Sequence, residues 1–418
     1  MNLLTRVFLK KGEENDIKQG FPWVFDNEIQ FFRREWLEEG GQHSVVNETL
    51  EETKAEDGEV VEVTTKAGQY LGTGILNKKS KIAVRILSRV RGEEFTRDFF
   101  RKRIEQALEM RSVWYDENDS YRLIFDEADF LPGLCVDRYC DIEGRVFLVV
   151  QFLALCTAKY RDDIIAVLTD LCHPFGIYER SDNSICEKEG LPERNGWIGA
   201  EHESHIVIKE NGVLLAVELA TGQKTGYFLD QKFNRVQAAR FAKGRRVLDT
   251  FTHTGAFALN CALAGAKEVT AVDISPEAVE TVKTNIKLNG QEKKVTAVCG
   301  DVFDVLRQYE AEKKTFDMII LDPPAFTKSA KMVQKAYGGY KEINLRAMKI
   351  LEPGGILVTC SCSHFFDVNT FYSMIQNAAN DAKRTVQILE KRGAGPDHPV
   401  LVGYPKSEYL KCAIIRVL

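Results

Sequence analysis

The clearest hydrophobic pattern begins at about residue 206, where short apolar runs alternate with amphipathic stretches. Arg246-Val247-Leu248-Asp249 precedes a helix-like stretch from Ala256 to Ala264. Val269 to Asp273 precedes Pro276 to Leu288, and Val295 to Val298 precedes Val302 to Tyr309. Met318 to Leu321, then Gln334 to Leu351, then Ile356 to Thr359 continue the series. Such alternation predicts an α/β fold, a doubly wound and mostly parallel sheet with helices on both faces. Lys411 to Leu418 is a further apolar strand. It follows Tyr404-Pro405 without room for another crossover, which predicts antiparallel pairing.

The preceding residues divide in two. Residues 1 to about 91 carry strand-type runs at Arg6 to Leu9, Glu59 to Val63 and Ile82 to Leu87, punctuated by glycines. Short strands with Gly turns predict a small β-barrel. The polar, acidic stretch 33–57 reads as an inserted, mobile loop. Residues 92–205 mix helical spacing (Phe99 to Trp114, Ala158 to Leu171) with a strand at Arg145 to Gln151, a central α/β domain. The third domain is 206–418.

Composition narrows the class. The 418 residues are 44% hydrophobic and 28% charged, ordinary for a globular protein. No apolar run approaches the roughly 20 residues that span a bilayer. Met1 to Lys11 lacks a signal-peptide core. The expectation is a cytoplasmic protein without a membrane partner. Ten Cys are scattered, and seven His form no ligand cluster, so neither a disulfide framework nor a bound metal is expected. A net charge of −5 argues against indiscriminate coating of nucleic acid. It leaves room for RNA on local basic clusters such as Lys78-Lys79-Ser80-Lys81, although a solvated face is the commoner use of such a cluster.

Candidate chemistry lies at the carboxyl rim of the predicted sheet, where open α/β sheets bind ligands. One strand runs into Asp322-Pro323-Pro324-Ala325-Phe326, and the next into Thr359-Cys360-Ser361-Cys362-Ser363. A thiol and a carboxyl at one rim suit covalent activation of an electron-poor ring. The first turn, Asp249 to Phe257, has one glycine, which disfavours a dinucleotide cradle. Asp273 ends the second strand, where a carboxylate can accept from both ribose hydroxyls. Asp301 follows the third, facing an adenine amine or serving only as a helix N-cap. Acids at four successive strand ends favour an adenosine cofactor.

These residues carry a resemblance. The chain is similar to class I S-adenosylmethionine-dependent methyltransferases, and specifically to the ribosomal RNA large subunit methyltransferase I family, which methylates C5 of a cytosine in 23S rRNA. The likeness spans nearly the whole chain: Gly20-Phe21-Pro22-Trp23-Val24-Phe25, Phe130-Leu131-Pro132-Gly133-Leu134, Gly222 to Gln231, Asp322 to Phe326, Gly339 to Asn344, Ser361-Cys362-Ser363 and Asp397-His398-Pro399. It implies a Rossmann-like methyltransferase domain behind an RNA-binding PUA domain and a central domain. Its cofactor is S-adenosylmethionine, its partner 23S rRNA or a large-subunit precursor, and a homodimer is allowed. It implies cofactor contacts at Phe228, Asp249, Phe251, Thr254, Gly255, Asp273, Asp301 and Asp322. Pro323, Pro324 and Phe326 would shape the base pocket, and Lys78, Lys79, Lys81 and Arg85 would meet phosphates.

Cys362 is the implied nucleophile and Asp322 its partner on the base. Cys360 and Cys362 would share a face of an extended strand, so spacing leaves both open. The Ser-Cys-Ser match and the position nearer the rim select Cys362. Ala325 stands where another group of RNA cytosine methyltransferases has a Cys, His253 where a Tyr is frequent, and stretch 33–57 is long for the family. Two other readings remain: methylation of a guanine or an exocyclic amine, which needs no thiol, and a non-catalytic RNA-binding assembly factor.

Overall fold

The architecture is that of a computed structural model, which describes residues 4–38, 42–181, 184–222, 224–327 and 329–418. The seven strands of the carboxyl-terminal sheet are Arg246–Thr250 (β1), Glu268–Asp273 (β2), Val295–Cys299 (β3), Phe316–Leu321 (β4), Leu351–Ser361 (β5), Val386–Arg392 (β6) and Lys411–Val417 (β7). Their order is β3-β2-β1-β4-β5-β7-β6. The first five are parallel, and β7 runs antiparallel between β5 and β6, as its missing crossover requires. Both faces are covered, so the strands are continuous apolar runs: Leu248, Ile319, Ile320, Leu357 and Val358 are fully buried. Helices Ala256–Leu263 (α1), Pro276–Leu288 (α2), Val302–Ala311 (α3), Val333–Ile350 (α4) and Val368–Ala382 (α5) cover them. The chain leaves β1 in one direction to β2 and β3, and in the other to β4 and β5. That reversal opens a crevice at the carboxyl ends of β1 and β4.

Strand β6 and helix α5 were not anticipated. Val386–Arg392 carries mostly polar or half-exposed side chains at the sheet edge, so its sequence has little apolar signal.

Residues 4–88 form a seven-stranded sheet in the spatial order Trp23–Val24, Val84–Ser88, Tyr70–Leu76, Val60–Thr64, Leu4–Leu9, Ile29–Leu37, His43–Glu48. Gly74 is required there, because a Cβ would lie 2.2 Å from the Arg85 carbonyl oxygen. The expected loop at 33–57 is instead largely a hairpin: Ile29–Leu37 pairs antiparallel with His43–Glu48, residues 39–41 lying outside the described set. Polar residues hid the strand. Arg33 extends its guanidinium over the stacked rings of Phe8 and Phe31, so an arginine does the packing expected of an apolar residue.

A five-stranded central sheet runs Arg194–Ile198, Gly176–Ser181, Val146–Phe152, Leu134–Cys140, Tyr121–Phe125, with helices Arg97–Ser112 and Arg161–Cys172 packed on it. A hairpin, His205–Glu210 and Val213–Glu218, then docks on α2, where Asn285 and Asn289 accept the Ala216 and Leu214 amides.

Candidate active site

The first βα turn is folded by Asp249. Its buried carboxylate accepts from the Thr252 hydroxyl at 2.5 Å and the Ala258 amide at 3.0 Å. Burial pushes this carboxyl up to about 7. Asp249 therefore braces the turn and does not line the cavity. Gly255 also serves the backbone. It takes a φ of +81° against Val282, a conformation that L side chains rarely adopt.

The turn opens onto a cavity at the crevice between β1 and β4. Of the residues named from sequence, Phe228, Phe251, Thr254, Asp273, Asp322, Pro323, Pro324 and Cys362 line it. Asp301 does not. Its carboxylate accepts the Phe303 amide at 2.7 Å as the N-cap of α3. Phe326 turns away and packs on Tyr340 at 4.5 Å and on Phe303 at 6.0 Å, a core contact. Arg85 is a further correction. It is buried between Glu127 and Glu189, 3.0 and 2.8 Å away, and offers nothing to a phosphate. A lone arginine in a β-strand reads as surface, and only the fold supplies its two carboxylates. Lys78, Lys79 and Lys81 are exposed.

The structure also brings in residues to which the sequence assigned no site role, namely Lys224, Asp230, Gln231, Arg235, His253 and Ser275. Four of these lie in the run from Lys224 to Arg235, whose dense polar residues just before β1 were the available signal. Asp230 is almost fully buried and accepts from Lys224 Nζ at 2.7 Å and from the Tyr409 hydroxyl. These contacts and the nearby His398 hold its carboxyl below the usual carboxylate range despite burial. Its Oδ1 has no protein partner, and neither does the buried Thr254 hydroxyl. Buried polar atoms left unpaired are expected where a ligand completes the wall.

Asp273 Oδ2 accepts the His253 amide at 2.9 Å and Oδ1 the Ser275 amide at 3.0 Å, which fixes the carboxylate while leaving each oxygen further accepting capacity. Phe251, Phe257, Ile274 and Ala278 add apolar wall. Apolar walls, a fixed carboxylate, the free Thr254 hydroxyl and the open Asp230 oxygen fit a nucleoside that carries a charged amino-acid tail.

The two thiols separate. Cys360 is fully buried inside β5, opposite Cys412 of β7. The strand ends at Ser361, and Cys362 turns into the cavity, half-buried, with Sγ 4.0 Å from the Pro323 carbonyl oxygen. Burial, then the Asp322 charge, push the Cys362 thiol up to about 11. Burial, then the Asp230 charge, raise Asp322 to about 6, while Gln231 Nε2 donates to its Oδ1 at 2.9 Å. Both shifts penalise negative charge, so a cation placed in this cavity favours thiolate and carboxylate alike. Lys411 supports the thiol loop from beneath, donating to the carbonyls of Ser363 and Tyr409, both at 2.7 Å.

Comparison with known proteins matches an S-adenosylmethionine-dependent methyltransferase family model over residues 188–403 and a PUA-like domain model over residues 7–89. The protein named ribosomal RNA large subunit methyltransferase I from Shewanella denitrificans is 40% identical over 99% of this chain and 100% of its own length. The protein of the same name from Shewanella frigidimarina is 39% identical over the same shares. The crystal structure of SMU.776 complexed with SAH superposes with a TM-score of 0.80 over 98% of this chain and 99% of that one, at 23% identity, a likeness of fold.

Proposed function

The chain belongs to the ribosomal RNA large subunit methyltransferase I family of S-adenosylmethionine-dependent methyltransferases, and on that basis we propose that it methylates C5 of a cytosine in 23S rRNA through a covalent bond between Cys362 and C6. The observation that carries this reading is the convergence of Cys362 and Asp322 on one cavity from neighbouring strands. A methyltransferase acting on an exocyclic amine has no use for that thiol, and an assembly factor has none for the pair.

S-adenosylmethionine, when bound, supplies an electrophilic methyl carbon on a sulfonium. Asp273 and Thr254 would hold its nucleoside, and Asp230 would pair with its ammonium. Cys362 adds as thiolate to C6 of the cytosine, which makes C5 nucleophilic. Asp322 hydrogen-bonds N3 or the N4 amine through Oδ2, the oxygen Gln231 leaves open, and with a pKa of about 6 it exchanges a proton near neutrality. Pro323 and Pro324 provide a stiff loop beneath the base. Once C5 carries the methyl group, its proton passes to solvent and the C6–Sγ bond breaks, which restores the ring and returns Cys362 as thiolate. Lys78, Lys79 and Lys81 meet the RNA backbone from the PUA-like domain.

RNA in which 5-fluorocytosine replaces the target provides the test, because fluorine blocks the final elimination. Wild type and Cys360→Ala should trap a stable protein–RNA adduct, and Cys362→Ala should not. Adduct formation by Cys362→Ala but not Cys360→Ala reverses the assignment, and an absence of adduct in all three overturns the C5 chemistry.

A further inference from the structure

Beside the cofactor cavity lies a second one of about 450 Å³, where the central sheet meets the loops carrying His364 and Tyr409. Lys224 lines both cavities. Between them stands a hydrogen-bonded partition in which Asp230 accepts from Lys224 and from Tyr409.

Beside the apolar Ala128, Leu153 and Ile185 and the ion-paired Arg122 and Glu127, three kinds of group in the second cavity suit a nucleotide. The first is aromatic: the rings of His364 and Tyr409 lie 5.3 Å apart, inclined by 31°, and Phe125 lies 6.1 Å from Tyr409. The second is polar: Gln151 of strand Val146–Phe152, whose Nε2 donates to the Arg180 carbonyl at 3.1 Å and whose Oε1 is left to accept, and the Asp126 carboxyl. The third is cationic, with Lys224 and Lys406 both exposed. Flat rings take the face of a base, an amide and a carboxyl hydrogen-bond its edge, and ammonium groups take phosphate. Together these recognise an unstacked ribonucleotide.

Cys362 does not line this cavity, so the base undergoing reaction lies elsewhere. His364 nevertheless follows Cys362 by two residues, a backbone span of at most about 7 Å. An occupant here is thus within reach of a neighbouring nucleotide. Resting on the cytosine reading above, we propose that the second cavity holds the nucleotide adjacent to the target cytosine, with its base against Phe125, His364 and Tyr409 and its phosphate at Lys224 and Lys406. The site then selects its target by sequence context as well as by the cytosine itself.

The experiment uses the full-length protein and a large-subunit rRNA hairpin that contains the methylated cytosine. Each nucleotide flanking that cytosine is replaced in turn by an abasic residue. One flanking abasic residue should weaken wild-type RNA binding about tenfold, the usual size of one base–aromatic stack. His364→Ala and Gln151→Leu should each weaken binding of intact RNA several-fold. At that one position the abasic RNA should cost the His364→Ala protein little more, because the stack is already gone. His364→Phe, which keeps a ring, should restore the response. Unchanged cofactor affinity shows that the variants are folded. Losses that add at every flanking position, or variants that bind intact RNA as wild type does, overturn the proposal. Formation of 5-methylcytosine by the wild type reads the cytosine assignment separately. Product with additive losses sinks this cavity alone, and no product sinks both readings.

Discussion

Replacing Asp322 by Asn should stabilise the protein at neutral pH while abolishing methyl transfer. In the folded chain burial and the Asp230 charge raise this carboxyl from its ordinary 3.8 to about 6. Holding it ionised at pH 7.5 therefore costs about 3 kcal/mol, at about 1.4 kcal/mol per pH unit. Asp322 is only partly buried, and solvent at the cavity wall brings the expected figure to about 2–3 kcal/mol. An amide has no charge to lose, and its oxygen can still accept from Gln231. The pH dependence follows from the direction of the shift. Between about 4 and 6 the folded carboxyl keeps its proton while the unfolded one gives it up, so wild-type stability falls relative to the variant as pH rises through this window and then levels off. Urea unfolding midpoints measured from pH 4 to pH 8 check this. The advantage of Asp322→Asn should shrink to about 0.5 kcal/mol at pH 4. Parallel stability curves across the range, or a wild type more stable at pH 7.5, would refute the reasoning.

Asp273→Ala should weaken S-adenosylmethionine binding by about 1.5–3 kcal/mol, the usual worth of hydrogen bonds to a charged group, and unchanged affinity by calorimetry removes Asp273 from the cofactor site. Arg85→Ala should lower stability by about 3–5 kcal/mol in urea, because Glu127 and Glu189 are left buried without their partner. Combining Lys78→Gln, Lys79→Gln and Lys81→Gln should flatten the salt dependence of RNA binding by roughly 0.7–0.9 for each phosphate that is no longer neutralised, and should leave cofactor affinity intact. An unchanged slope moves the RNA surface elsewhere.

The sheet was legible in the sequence because its strands are buried on both faces and carry their signal as unbroken apolar runs. So was the rim, since the ends of those runs mark it. The hairpin at Ile29–Leu37 was not, because Arg33 covers aromatic rings with a side chain that reads as solvent-facing. Spacing alone did not separate Cys360 from Cys362, although the order of the two toward the rim did. Two residues apart, they share a face only while the strand continues, and β5 stops at Ser361. Arg85, Asp230 and Tyr409 depend on partners roughly 40 to 180 residues away, and no local pattern encodes such pairings.

Strand β7 lies between β5 and β6 but is synthesised after both. While a nascent chain is still emerging, β5 and β6 therefore have no common neighbour, and each presents an open edge to its surroundings. Tyr409, which holds Asp230, and Lys411, which holds the loop of Cys362, arrive only with that late strand. At a translation rate of about 5–20 residues per second, the nearly complete chain spends seconds with its sheet split and its thiol unsupported. Completion of the cavity wall is in this way timed to the end of the sheet's own synthesis, and a chain that stalls before β7 carries a Cys362 loop that nothing holds in place.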